Sequence, residues 1–155
     1  MQESQNFLSV AETLAKRAGD LCLEIQQDLG EIHYKSKKDV VTRADIASEK
    51  LIVEGIRKAF PTHSIRTEEA GVIEGSDPRY LWIIDPVDGT VNFSRGIPLW
   101  GISIALHFEG KPLVAAVNLP KLGELYTASL GGGAFMNGKA IHVSRESDSV
   151  HAIVS

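Results

Sequence analysis

Apolar residues in the first part of the chain recur every three or four positions. This spacing over residues 7–29, followed by Gly30, predicts one long amphipathic helix with a wide buried stripe. A second helix is predicted over about 43–60, where apolar residues again share one face and Pro61 ends the helix. Between them, the charged segment 35–39 is either a solvated turn or a flap whose lysines lean over an anionic site.

From residue 64 onward the pattern changes to short apolar runs separated by turn residues. The runs predicted as strands are 64–67, 80–84, 101–108, 112–118, 123–129 and 140–143. Asn137-Gly138 is a strong signal for a two-residue hairpin turn. Two helices followed by consecutive hairpins indicate an α+β fold, in which two long helices pack on a largely antiparallel sheet.

The last residues of the sequence resemble the start of a further element. Residues 144–149 are a polar linker, and 150–155 are an apolar run of the kind that forms a strand. An unpaired apolar strand would leave its edge exposed. We therefore expect residues 1–148 to form one α+β domain and residues 149–155 to begin a second domain that this chain lacks.

The composition narrows the class of protein. Hydrophobic residues make up 43% and charged residues 23% of the 155, which is typical of a folded domain and not of a disordered or membrane protein. The formal net charge of −4 gives no general attraction to nucleic acid, and no apolar run could span a bilayer. The amino terminus has no secretory pattern, and Cys22, the only cysteine, lies on the apolar stripe of the first helix. We expect a cytoplasmic protein with a core cysteine, binding neither nucleic acid nor membranes.

The string DPVDGT carries the strongest chemical signal. A buried apolar run is expected to end at Asp85 and to bring Asp88 beside it in one tight turn. Magnesium prefers oxygen ligands, which both carboxylates and the Val87 carbonyl can provide. Gly89 and Thr90 can open a helix, whose first N–H groups bind phosphate. The alternative is an ordinary Asp-Gly turn capped by a carboxylate.

Two further acidic segments could join this site. Glu68-Glu69 follows a predicted strand, and adjacent carboxylates repel each other unless a cation or solvent lies between them. The pair is either a solvated acidic loop or part of a multi-metal cluster that stabilises the attacking and leaving oxygens of a displacement. Thr42 or Asp45 could simply cap the second helix. Asp45 could instead accept a hydrogen bond from Thr90 and help it to orient a water.

Three segments together resemble the inositol monophosphatase family. They are DVVTRAD at 39–45, Glu68-Glu69, and WIIDPVDGTVNF at 82–93, and the likeness covers nearly the whole chain. The resemblance implies the amino-terminal half of a layered αβαβα fold. It also implies a homodimeric, magnesium-dependent and lithium-inhibited enzyme. The implied substrate is inositol monophosphate, with histidinol, nucleotide and sugar phosphates as alternatives.

The resemblance also implies a role for each acidic residue. Glu68, Asp85 and the Val87 carbonyl would hold one magnesium ion, and Asp85 and Asp88 a second, in a cluster of two or three ions. Glu69 would support the cluster as a catalytic residue.

The remaining implied roles concern the phosphate and the attacking water. The residues expected to bind the phosphate are Val87, Asp88, Gly89 and Thr90. Thr90 and Asp45 would help to activate a metal-bound water, which would attack phosphorus in line without a phosphoenzyme.

One departure from the family leaves two hypotheses open. Family members carry a second, α/β half with a Trp-Asp-containing motif, whose aspartate completes the second metal site and whose neighbours select the substrate. This sequence contains no matching motif. The chain is therefore either half of a phosphomonoesterase that needs the other half for complete activity, or a non-catalytic module that binds metal or pairs with another subunit.

Overall fold

A computed structural model describes residues 2–28, 33–34 and 40–145, with side chains for 4–28 and 42–145. The charged segment 35–39 and the predicted strand over 150–155 lie outside the described residues, as does the expected domain boundary after residue 148. No helix in the described ranges is both long enough and apolar enough to cross a membrane.

Both predicted helices are present. Helix α1 spans Gln2–Gln26 and α2 spans Arg43–Ala59, and a one-turn helix, α3, follows at Thr90–Ser94. The described residues of the predicted stripe of α1 are buried or half-buried, and Cys22 within it is completely inaccessible. Burial raises the pKa of the Cys22 thiol to about 12, as expected for a core cysteine and not for a reactive one.

Eight strands in the described part of the chain form one sheet. They are β3 His63–Thr67, β4 Gly71–Ile73, β5 Asp77–Asp88, β6 Gly101–Phe108, β7 Lys111–Leu119, β8 Glu124–Ser129, β9 Gly133–Met136 and β10 Lys139–Ile141. Two short strands, β1 His33–Tyr34 and β2 Val40–Val41, form a separate antiparallel pair. The order in the sheet is β10-β9-β8-β7-β6-β5-β3-β4. Neighbours are antiparallel except for β3 and β5, which are parallel. The predicted α+β fold with a largely antiparallel sheet is confirmed.

The two long helices cover one face of this sheet. Helix α1 contacts β6, β7 and β8, while α2 contacts β3 and β5. Side chains alternate between the faces, so that Trp82 and Ile84 of β5 are buried under the helices while Ile83, between them, is only half-buried. Because α2 lies over β3 and β5, its buried face reaches the ends of the two strands that carry the acidic residues.

The region around Asp85 differs from the tight turn predicted after residue 84. Strand β5 continues to Asp88, and its pairing with β6 is irregular only between Asp85, opposite Ser103, and Asp88, opposite Gly101. Two residues of β5 therefore lie opposite one residue of β6, which is a β-bulge. Pro86 is one of the two, and it suits a bulge because it has no N–H group to give to the sheet.

Other differences from the prediction are smaller. Strand β4 lies in a segment that the sequence suggested was a connection.

Asn137 and Gly138 form the predicted hairpin turn between β9 and β10, with φ angles of 49° and 76°. The Asn137 side chain also accepts a hydrogen bond from the Leu125 N–H at 2.8 Å, and so ties the turn to β8.

Candidate active site

The bulge in β5 places two carboxylates at the end of the strand. In a regular strand, residues three positions apart point to opposite faces of the sheet. The extra residue of the bulge changes this alternation, so that Asp85 and Asp88 are able to lie on the same side. The Val87 side chain between them is buried (1% exposed) and anchors the bulge in the core.

Glu68 joins these carboxylates because β3 and β5 are parallel. Thr67 pairs with Ile84, so the next residues along the two strands are Glu68, just past the end of β3, and Asp85, still within β5, and they lie side by side. Burial raises the pKa of Asp85 to about 7, and the neighbouring charges of Glu68 and Asp88 and a hydrogen bond with Glu68 add to the increase. The structure thus brings together the three acidic groups that the sequence singled out as metal ligands.

The donor set suits a hard divalent cation, which would relieve the repulsion among these carboxylates. Carboxylate and carbonyl oxygens are the ligands that magnesium prefers. Within the ranges that the structure describes, however, no three acidic, histidine or cysteine side chains are grouped closely enough to hold a cation by themselves. A cation here would take Asp85, with Glu68 or Asp88, and complete its shell with other oxygens.

Thr90 and Asp45 form the second part of the site. The Thr90 hydroxyl lies 3.0 Å from Asp45 Oδ1 and 2.9 Å from the Val87 carbonyl oxygen, so its hydrogen can be donated to either. The other Asp45 oxygen, Oδ2, accepts hydrogen bonds from the backbone N–H of Thr42 at 2.8 Å and its hydroxyl at 2.7 Å. Asp45 is buried, and burial raises its pKa, although these hydrogen bonds oppose the increase.

Helix capping and a hydrogen bond from Thr90, which the sequence offered as alternatives for Asp45, occur together. Thr42 and Asp45 cap α2 reciprocally, since the Ala44 N–H also donates to the Thr42 hydroxyl at 3.1 Å. At the same time Asp45 holds Thr90. One side chain therefore fixes both the start of α2 and the start of α3.

The backbone expected to face the phosphate lies between the bulge and α3. Gly89 has a φ angle of +88°, and a Cβ atom there would lie 3.0 Å from the Leu99 carbonyl oxygen. No side chain caps the start of α3. Phosphate binding by Val87, Asp88, Gly89 and Thr90 remains a prediction.

Two residues that hold the site together were missed by the sequence analysis. Ser48 donates a hydrogen bond to the Pro86 carbonyl oxygen at 2.8 Å, and the carboxylate of Glu49 accepts hydrogen bonds from the turn that follows β3. With Asp45, they lie at positions i, i+3 and i+4 on the buried face of α2. Polar residues at this spacing within an apolar face were the signal that could have identified them. The backbone N–H of Glu69 is one of the donors to the Glu49 carboxylate. The catalytic role expected of the Glu69 side chain remains a prediction.

Comparison with known proteins decides the family. The model of the inositol monophosphatase family matches residues 3–155. The chain belongs to the inositol monophosphatase family. The resemblance inferred from the three acidic segments is thereby confirmed.

Named relatives of this family member fall under two descriptions. Nus factor SuhB from Pseudomonas aeruginosa is 44% identical over 144 residues, which cover 90% of this chain and 53% of that protein. Inositol monophosphatase 2 from Solanum lycopersicum is 41% identical over 156 residues, which cover 97% of this chain and 58% of that protein. The chain therefore spans about half the length of the curated relatives that it matches.

Solved structures of inositol monophosphatase-type proteins share the fold. The extragenic suppressor protein suhB of Bartonella henselae superposes with a TM-score of 0.88 at 34% identity, over 91% of this chain and 55% of that one. An IMPase/NADP phosphatase complexed with Mg²⁺ and phosphate gives a TM-score of 0.80 at 26% identity, over 89% of this chain and 53% of that one. Magnesium and phosphate thus bind to a protein of the same fold.

Proposed function

We propose that this chain provides the acidic wall of a magnesium-dependent phosphomonoesterase that acts on inositol monophosphate or a similar small phosphate ester. The observation that carries the proposal is the meeting of Glu68, Asp85 and Asp88 beside the hydrogen-bonded pair of Thr90 and Asp45. Membership of the inositol monophosphatase family and the magnesium and phosphate bound by a protein of the same fold support it.

Each part of the site has a task in this reaction. Asp85 would hold magnesium together with the Val87 carbonyl and either Glu68 or Asp88. When bound, magnesium neutralises phosphate charge and makes a bound water more acidic. When Thr90 donates its proton to Asp45, a lone pair of its hydroxyl oxygen is left to accept a hydrogen bond from the attacking water. The water is thereby oriented, and its proton passes through Thr90 to Asp45. A buried carboxylate with a raised pKa is suited to receive that proton.

The test is release of inorganic phosphate from inositol 1-phosphate, with and without magnesium. We expect release to require magnesium and to be lost in Asp88→Asn, while Asp77→Asn, at the far end of the same strand, leaves it unchanged. Because the chain spans about half of its relatives, the assay is run with and without the remaining half of the tomato relative as a separate polypeptide. Release that is independent of metal and of Asp88 would contradict the proposal.

Several finer expectations belong to the same proposal. They are a cluster of two or three magnesium ions, inhibition by Li⁺, a homodimer, a cytoplasmic location and no binding of nucleic acid. Magnesium stoichiometry from calorimetry, phosphate release in a lithium series, and mass from light scattering test the first, second and third.

A second candidate function is that of a Nus factor, the description carried by the SuhB relatives. Relatives named Nus factor SuhB and relatives named inositol monophosphatase are similarly close, at 44% and 41% identity, so identity does not decide between the two. The parent chain and Asp88→Asn would be tested for complementation of an Escherichia coli strain that lacks its SuhB. Complementation by both would show a function that does not depend on phosphate chemistry. A non-catalytic module that binds metal or pairs with another chain would instead bind Mg²⁺ or a subunit without releasing phosphate.

A further inference from the structure

Glu49 is a buried carboxylate that none of the chemical steps uses. It lies in α2, is only 9% exposed, and one of its oxygens, Oε2, accepts hydrogen bonds from three donors. The donors are the Thr67 hydroxyl, the Glu69 N–H at 3.0 Å and the Ala70 N–H at 3.3 Å. All three belong to the end of β3 and the turn that follows it.

These hydrogen bonds surround Glu68, the residue that meets Asp85. Thr67 lies before Glu68 and Glu69 follows it, so Glu49 holds the side chain of the residue before the acidic residue and the backbone N–H of the residue after it. Hydrogen bonds to an ionised carboxylate are about twice as strong as neutral ones. Fixing both neighbours fixes the direction in which the Glu68 side chain leaves the sheet.

A purely structural role, joining α2 to the sheet, would not need this carboxylate. Ile52 and Ile56 of α2 are completely buried and already pack the helix against the sheet. A buried charge costs free energy unless it is paired or hydrogen-bonded, so an apolar residue would serve packing better. The position of Glu49 beside the acidic turn therefore points to a task at the site.

We propose that Glu49 is a positioning residue for the cation site, and that it acts by holding Glu68 beside Asp85. The inference rests on the proposed function, in which these two carboxylates bind a divalent cation. In this proposal Glu49 does not touch the cation itself. Helix α2 would then support the metal site as well as pack on the sheet.

The first test compares Glu49→Gln with Glu54→Gln, an exposed glutamate on the same helix. The probe is Mn²⁺, and its affinity is measured by electron paramagnetic resonance on the purified chain. Removal of a residue that orients a metal ligand typically weakens metal binding by about 10- to 100-fold. We expect a loss of at least about 10-fold for Glu49→Gln and the parental affinity for Glu54→Gln.

A second pair of variants tests the same contact from the sheet. Thr67→Val removes the hydroxyl that donates to Glu49, whereas Thr67→Ser retains it. We expect weaker Mn²⁺ binding in the valine variant and the parental affinity in the serine variant. The Thr67 hydroxyl also accepts hydrogen bonds from the Glu69 and Ala70 N–H groups, both at 3.2 Å. Parental Mn²⁺ affinity in the valine variant would therefore overturn the positioning role even if Glu49→Gln does not fold.

Hydrogen exchange provides a readout that needs no metal. In Glu49→Gln, the amides of Glu69 and Ala70 should exchange at least about 10-fold faster than in the parent, because they lose a charged acceptor. Amides in the middle of β5 should not change.

The outcomes separate this inference from the proposed function. If the parent chain does not bind Mn²⁺, the proposed cation site is contradicted, and the positioning role of Glu49 is contradicted with it. If the parent binds Mn²⁺ and both Glu49→Gln and Thr67→Val bind it equally well, the positioning role is overturned while the cation site stands.

Discussion

The Thr90 hydroxyl lies 3.0 Å from Asp45 Oδ1, so a hydrogen bond joins the starts of α3 and α2 across 45 positions of sequence. Thr90→Val keeps the shape of the side chain but removes this hydroxyl. We expect kcat for phosphate release to fall by about 100-fold or more, which is typical of the loss of a group that transfers a proton, with little change in KM. Steady-state kinetics in the phosphate-release assay measure both parameters.

Thr90→Ser is the matched control, because it retains the hydroxyl. We expect it to stay within about 10-fold of the parental kcat. A valine variant as active as the serine variant would exclude Thr90 from proton transfer.

The stability of the metal-free protein should depend on pH through Asp85. Its pKa is raised from 3.8 to about 7, mainly by burial and then by Glu68 and Asp88, so the folded state favours its protonated form. The resulting stabilisation is fully present below pH 3.8 and is lost as the pH rises through 7. The raised pKa of Asp45 acts in the same direction. We expect the free energy of unfolding, from urea denaturation in EDTA, to decrease between these pH values, and Asp85→Asn to reduce the decrease.

Magnesium should act against this trend. A bound cation favours ionised carboxylates, so its affinity rises with pH and its binding releases protons. We expect the increase in melting temperature that Mg²⁺ produces to be small near pH 5 and larger above pH 7. If the increase in melting temperature did not depend on pH, magnesium would not be competing with protonation of Asp85.

The extent to which the sequence predicted the site depends on how local each signal is. The helices and the Asn137-Gly138 turn follow from spacings within a few residues, and both are confirmed. The sequence alone predicts a turn at Pro86, because a strand that continues through a proline is recognisable only once its pairing with β6 is known. Ser48 and Glu49 bind residues 38 and 18 positions away. The local spacing of polar residues on α2 could single out these two side chains, but it does not identify the distant residues that they contact.

Gly89 should be more sensitive to substitution than Gly96, the other glycine beside α3 with a positive φ angle. Its φ angle of +88° lies in the left-handed region, where a side chain costs about 1–2 kcal/mol. The added Cβ atom would also lie 3.0 Å from the Leu99 carbonyl oxygen. Gly96 provides the control, because its φ angle is +72° but a Cβ atom there would meet nothing within 4 Å. We expect Gly89→Ala to lower the free energy of unfolding, measured by urea denaturation, more than Gly96→Ala does. Equal losses would show that the backbone near Leu99 moves to make room for the added Cβ atom.

Ser48 should stabilise the bulge by its hydrogen bond to the Pro86 carbonyl. Both groups are buried, so Ser48→Ala would leave the carbonyl without its donor, at a cost of about 1–3 kcal/mol. Ser94→Ala is the control, because its hydroxyl donates to the Val91 carbonyl at an exposed position, where water can replace it. Since Pro86 lies between Asp85 and Val87, we expect Ser48→Ala also to weaken Mn²⁺ binding, and Ser94→Ala not to. A stable Ser48→Ala protein with parental Mn²⁺ affinity would show that the pairing of β5 with β6 holds the two carboxylates in place without α2.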